Sequence, residues 1–285
     1  MIHDPRPCDL GEGVFWHPVR QQLFWFDILN GQLMSVTDQG PLVWQFDEMV
    51  SAAGWISRDE LLIASETALF RFHLETGATS PVCALEADNA ATRSNDGRAD
   101  RQGGFWIGTM GKRGGDDPGA GAIYRWYRGE LRQLFDGVTI SNAICFAPDG
   151  RTAYFTDTAT GVIQNVSLDA HGWPSAPPAT FLDLTAEGLH PDGAVIDADG
   201  NLWNAQWGAG RVAAYRSDGT FLRAVSFNAP HTSCPGFGGA DLTTLFVTSA
   251  LQGMDAAARA SYPDAGKLFA AANVACGLPE PQVIL

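Results

Sequence analysis

Long apolar runs are missing from this chain: no stretch of about 18 consecutive apolar residues occurs in its 285 positions, so no membrane-spanning helix is expected. The segment Met1 to Asp9 has no apolar core, so no secretory leader is expected and the cytoplasm is the expected compartment. Cysteine is scarce. Cys8, Cys83, Cys145, Cys234 and Cys276 are odd in number, dispersed and without a C-x-x-C spacing, which argues against a disulfide framework or a zinc–thiolate site. Positive charge is scarce as well: 18 Lys and Arg against 32 Asp and Glu leave a net charge of −14, the wrong sign for nucleic acid or an anionic membrane as partner. A neutral or cationic small molecule, or a metal cation, remains compatible. Amphipathic helical periodicity is nearly absent, with one short Ala-rich candidate from Met254 to Ser261. There is no Gly-x-Ser-x-Gly nucleophile elbow.

What the chain has in quantity is turns and aromatics, with 32 glycines and 9 tryptophans in a composition that is 45% hydrophobic. Short apolar or aromatic runs alternate with Gly, Asp, Asn and Pro, which is an all-β pattern. Residues 190–208 show the unit most clearly: a small apolar strand over 193–197, the turn pair Asp199-Gly200, and a second strand over 201–205. Six runs resemble one another, beginning at Leu23, Leu61, Phe105, Ala153, Leu202 and Leu245, with steps of 38, 44, 48, 49 and 43 residues. A period near 40 to 50 residues that carries four short strands is the signature of a propeller blade. The expected fold is a single six-bladed β-propeller over residues 1–285, with two further strands per unit: 122–127 and 131–135 in the third, 211–216 and 221–227 in the fifth. Either the N-terminal residues or Gln282 to Leu285 could supply the last outer strand; the sequence leaves both open.

The repeat also fixes a phase. Stepping back 10 or 11 residues from each second strand reaches the entrance of the innermost strand, where the chain places Glu12, Val50 or Ser51, Asn95, Asn142, Asp192, and Cys234 or Pro235. In a propeller these positions ring the mouth of the central channel. Two carboxylates and two amides converging there are costly to bury alone, and a divalent cation is their natural partner. An all-oxygen set suits Ca²⁺, Mg²⁺ or Mn²⁺ and tolerates Zn²⁺ or Fe²⁺. Loops that follow the second strands share this mouth. Two are long, 110–121 and 250–266, and the fifth unit contributes Trp207, a candidate stacking surface for a sugar. Trp16, Trp106 and Trp203 fall where blades pack.

The segments Leu10 to Trp16, Arg93 to Asp100, Phe105 to Met110, Ser141-Asn142 with Ala147 to Gly150, Pro191-Asp192-Gly193 and Phe237 to Asp241 appear in order and at fitting spacings. Together they resemble the signature set of the SMP-30/gluconolactonase/LRE family, the regucalcin-like sugar lactonases, over essentially the whole chain. The look is that of the bacterial sugar-acid lactonases, although Cys234-Pro235-Gly236 departs from the pattern before Phe237. The resemblance implies a six-bladed propeller, and it implies that Glu12, Asn142 and Asp192 hold one divalent cation. It further implies that Arg93 and Asn95 hold substrate oxygens, that Asp192 is the general base, and that Asp117 lies near a further acidic substrate contact. The expected activity is metal-dependent hydrolysis of an aldonolactone to the aldonic acid, in carbohydrate catabolism. The rival expectations are another esterase or phosphotriesterase chemistry on the same site, or a non-catalytic calcium-binding propeller.

Overall fold

Six four-stranded antiparallel sheets make up the computed structural model, which describes all of residues 1–285. Their innermost strands are Gly11–His17, Val50–Trp55, Thr92–Ala99, Ser141–Phe146, His190–Ile196 and Thr232–Gly238, one for each of blades 1 to 6. Each touches the next, and the sixth touches the first, so the sheets close into a ring around a channel. The fold is the six-bladed propeller that the repeat predicted. The observed second strands begin within a residue of the expected starts, at Gln22, Glu60, Phe105, Thr152, Leu202 and Thr244.

Burial grades outward across each blade. In blade 1 the inner strand Gly11–His17 and the second strand Gln22–Asp27 are almost wholly buried, whereas the outer strand Gly40–Gln45 is mostly exposed. The physical reason is that the inner strands are covered on both faces by neighbouring blades, so burial does not alternate along them. Apolar clusters fill the wedges between blades; Trp106 and Trp203 are fully buried in two of them. Close packing at the hub also explains several glycines there: a Cβ on Gly13 would lie 2.3 Å from the Ser51 carbonyl oxygen, and Gly13 has φ +56°.

The N-terminus closes the ring. Ile2–Asp4 is the outer strand of blade 6, paired antiparallel with Leu268–Ala271. The C-terminal residues take a different path, across the channel end remote from the mouth. There Val283 N–H donates to the Trp55 carbonyl (2.9 Å), Ile284 N–H to the Gly103 carbonyl (2.9 Å), and Trp55 Nε1–H to the Glu280 carbonyl (2.8 Å). The Glu280 carboxylate pairs with the guanidinium of Arg98, which projects from the far end of the blade 3 inner strand. The expected helix is present but shorter, Ala256–Ser261, capped by the Asp255 side chain accepting from Ala258 N–H. No helix is long and apolar enough to cross a membrane.

Candidate functional site

A cavity of about 290 Å³ opens at the channel mouth, and its wall includes Glu12, Arg93, Asn95, Asn142, Asp192 and Trp207. These six come from blades 1, 3, 4 and 5. Glu12, Asn95, Asn142 and Asp192 are at the repeat phase, Arg93 is the residue that the resemblance added and Trp207 the one that the loops added. Val50, Ser51, Cys234 and Pro235 do not line the cavity. Asp117 is the exception among the expected site residues. Its carboxylate accepts from Arg113 Nε–H (2.8 Å) and from Arg113 N–H (3.0 Å), on the same loop, and it is Lys112, Arg113 and Gly114 that face the cavity.

The backbone explains why these side chains turn inward. Every inner strand loses register with its neighbour near the mouth, between Glu12 and Phe15, Val50 and Ala52, Ser94 and Gly97, Asn142 and Cys145, Pro191 and Ala194, and Thr232 and Pro235. A bulge of this kind bends a strand and re-aims a side chain. In blades 1 and 4 the residue after the functional one is left-handed, Gly13 at φ +56° and Ala143 also at φ +56°. Glycine adopts that conformation freely; for buried Ala143 it is strained, and such strain persists only where surrounding contacts enforce it.

In blade 4 the Asp157 carboxylate accepts from Thr139 N–H (2.8 Å) and Ile140 N–H (2.9 Å), just before Asn142. In blade 1 Asp27 does the same for Asp9 N–H and Leu10 N–H (3.0 Å each), just before Glu12. Two carboxylates at equivalent strand ends thus pin the approach to two site residues.

The side-chain polar groups form one directed chain. Arg93 Nη1–H donates to Asn95 Oδ1 (2.7 Å) and to the Ser94 carbonyl (2.9 Å). Asn95 Nδ2–H donates to Asn142 Oδ1 (3.1 Å) and to the Ser141 carbonyl (2.9 Å). Asn142 Nδ2–H donates to Thr158 Oγ1 (2.9 Å), and the Thr158 hydroxyl donates to the Pro191 carbonyl (2.7 Å), next to Asp192. No protein acceptor takes Nε–H or the Nη2 hydrogens of Arg93, which leaves part of its donor fork for a ligand.

Charge is the other feature of the site. Glu12, Arg93 and Asp192 are each 4% exposed. Burial pushes the Glu12 carboxyl up to about 8, the charge of Asp96 adds to this, and only the Gly13 N–H and Arg93 oppose it. Asp192 is also held well above the usual carboxylate range, first by burial and then by the charges of Glu12 and Asp96. Asp96, which accepts from Ile144 N–H at 2.7 Å, is raised by burial to about 6. Burial lowers Arg93 to about 10 against the pull of Glu12, Glu66 and Asp192. Acid outweighs base here.

No group of three or more His, Cys, Asp and Glu side chains is gathered anywhere in the molecule in a way that could hold a metal. A cation at the mouth would therefore be held by two carboxylates supplemented by amide oxygen, a donor set of hard oxygens that fits Ca²⁺, Mg²⁺ or Mn²⁺. The uncompensated buried charge of Glu12 and Asp192 is what a divalent ion would neutralise, and in that sense the residues fit the group.

Sequence reading missed two neighbours of the site. His231 stacks on Trp207 with ring centroids 4.2 Å apart and planes 9° from parallel, backing the indole that faces the cavity. Thr158 lines the cavity and carries the hydroxyl described above. Its signal was positional: it is the first residue after the second strand of the blade that carries Asn142, on the face where such loops gather.

The ring of six sheets and the acid-rich mouth define a member of the SMP-30/gluconolactonase/LRE family, whose pattern matches residues 10–251, and the chain belongs to that family. Among its relatives is an L-arabinolactonase from Azospirillum brasilense, 34% identical over 278 residues that cover 94% of this chain and 90% of the relative. Another is a 6-deoxy-6-sulfogluconolactonase from Pseudomonas putida, 30% identical over 279 residues, covering 97% of this chain and 95% of the relative. The solved structure of a calcium-binding protein, regucalcin, from Agrobacterium tumefaciens str. C58 superposes with a TM-score of 0.97 at 38% identity, over 100% of this chain and 97% of that one.

Proposed function

We propose that this protein is a divalent-cation-dependent lactonase that hydrolyses a sugar lactone to the open aldonic acid. One observation carries the reading: two buried carboxylates, Glu12 and Asp192, stand with little compensating charge on a polar cavity wall beside the free donors of Arg93. The names of the lactonase relatives support the reaction class. A divalent cation, when bound, supplies Lewis-acid polarisation of the lactone carbonyl.

The chain's own groups do the rest. Asp192, whose carboxyl burial holds well above the usual carboxylate range, takes a proton from water as the water oxygen attacks the carbonyl carbon. The ring C–O bond then breaks, and the departing oxygen takes a proton back to give the hydroxyl of the acid. Nε–H and Nη2–H of Arg93 hold ring hydroxyl oxygens, and the Trp207 face, backed by His231, packs against the apolar side of the sugar.

The test is acid release from a panel of pentono- and hexonolactones, corrected for spontaneous hydrolysis. Metal-stripped protein is compared with protein refilled separately with Ca²⁺, Zn²⁺, Mn²⁺, Mg²⁺ and Fe²⁺, with Asp192→Ala as control. Metal-dependent turnover that disappears in the control is the expected result. Absence of turnover with every metal would refute the reading.

A further inference from the structure

The hydroxyl of Thr158 has a job that its donors and acceptors define without ambiguity. A hydroxyl has one hydrogen to give, and the Pro191 carbonyl, 2.7 Å away, can only accept. Thr158 Oγ1 must therefore receive from Asn142, so the amide of Asn142 presents its NH₂ group to Thr158 at 2.9 Å. The orientation of that amide follows: Oδ1 is turned away from Thr158, on the side where Asn95 Nδ2–H reaches it at 3.1 Å. Replacing the hydroxyl by a methyl group removes the only partner that distinguishes the two flipped states from this side.

The same oxygen spans two blades. Thr158 is tied to blade 4 by its N–H, which donates to the Ile140 carbonyl at 2.9 Å, and by the one-turn 3₁₀ segment Thr158–Thr160 that Asp157 caps. Through Pro191 it holds the peptide that leads into Asp192 of blade 5. Asn142 sits beside strained Ala143, at φ +56°, so its placement depends on such external ties.

We propose that Thr158 is a positioning residue for cation binding, which fixes Asn142 with its oxygen free of Thr158 and locks it in register with Asp192 on the next blade. The assignment rests on the cation reading of this site. Outer partners of this kind typically change metal affinity by about 10- to 100-fold when removed.

The experiment is calorimetric titration of Ca²⁺ and, separately, Mn²⁺ into metal-stripped wild-type protein, Thr158→Val and Thr158→Ser, with the melting temperature of each metal-free form measured alongside. Val keeps the shape and loses the hydroxyl; Ser keeps the hydroxyl. Thr158→Val is expected to bind about 10- to 100-fold more weakly while its metal-free melting temperature falls by only about 2–8 °C, so that the protein stays folded at the titration temperature, and Thr158→Ser to bind like the wild type. Wild-type affinity in Thr158→Val, or equal weakening in both variants, overturns the role of the hydroxyl and leaves the lactonase reading intact. A wild-type protein that takes up neither ion overturns the cation reading and this assignment together.

Discussion

Arg93 and Arg98 lie on one strand, Thr92–Ala99, at opposite ends of the same channel, and the chain treats their charges in opposite ways. At the far end Arg98 meets Glu280 in an ion pair that the tail brings in, and its Nη2–H also reaches the Pro235 carbonyl at 3.4 Å. Burial opposes the charge on Arg98, but Glu280, together with the smaller contributions of Cys234, Asp96 and Cys145, more than offsets it and keeps the guanidinium firmly protonated. At the mouth the excess lies with the acids, and Glu12 and Asp192 are pushed toward their neutral forms. Where only closure is needed, buried charge is matched by the chain itself. Where chemistry is proposed, the match is left for a ligand to complete.

Glu280→Ala is the harshest way to break that contrast. An unpaired Arg98 should cost about 3–5 kcal/mol, lowering the melting temperature by roughly 6–20 °C in a chain of this size. Lactone turnover per folded molecule should stay at the wild-type level. Recovery of most of the loss in Arg98→Met/Glu280→Leu, read by thermal denaturation, would show that the pair is a stability element alone.

Arg93→Ala attacks the other end of the strand. Losing charged hydrogen bonds to the substrate is worth about 1.5–3 kcal/mol, so kcat/KM should fall by roughly 10- to 150-fold while far-UV circular dichroism is preserved. Unchanged turnover would remove Arg93 from the substrate site.

The pH dependence of the metal-free protein sharpens the comparison further. Because Glu12 titrates near 8 in the folded state and near 4.5 when unfolded, the folded state binds more protons between those values. The stability so gained is complete below the unfolded value and is lost as pH rises through the folded one. Melting temperature without metal should therefore decline from about pH 5 to about pH 9, and saturating Ca²⁺ should flatten that decline. A flat metal-free profile would mean that the mouth carboxylates are compensated after all. The smallest effect is expected from Trp207→Ala, a rise in KM of about two- to tenfold with kcat held, measured on the preferred lactone.

Much of this was legible in the residues because a propeller repeats one unit. The second strands are apolar and aromatic runs, such as Leu23–Asp27 and Phe105–Thr109, so their starts could be read to within a residue. The interval back to the site residue came out as 10 in some blades and 11 in others, and the structure gives the reason. In each blade the site residue stands at the same distance before the residue paired with the first position of the run (Trp16 with Leu23, Ala99 with Phe105, Phe146 with Ala153, Ile196 with Leu202), and the turn between is one residue longer in blades 1 and 4. Bulges have no side-chain signature of their own, and Ala143 in a left-handed conformation cannot be anticipated from alanine. Ring closure was equally illegible, since Ile2–Asp4 and Gln282–Leu285 are both short and strand-compatible, and only the distant pairing of Ile2 with Phe269 decides between them. Asp117 shows the limit of positional transfer: its loop reaches the cavity through Arg113, to which Asp117 is bound.

That pairing also sets an order of events during synthesis. The strand Ile2–Asp4 is made long before its partner and has no sheet to join until Leu268–Ala271 has emerged. Blades 1 to 5 can each form from local segments, but blade 6 is complete only when strands from both ends of the chain have met. Contacts of such long sequence separation form late and slowly. A nascent chain stalled before residue 268 would thus carry five whole blades, all its candidate site residues and the inner hairpin of the sixth, with the strand that should seal the ring left without a partner.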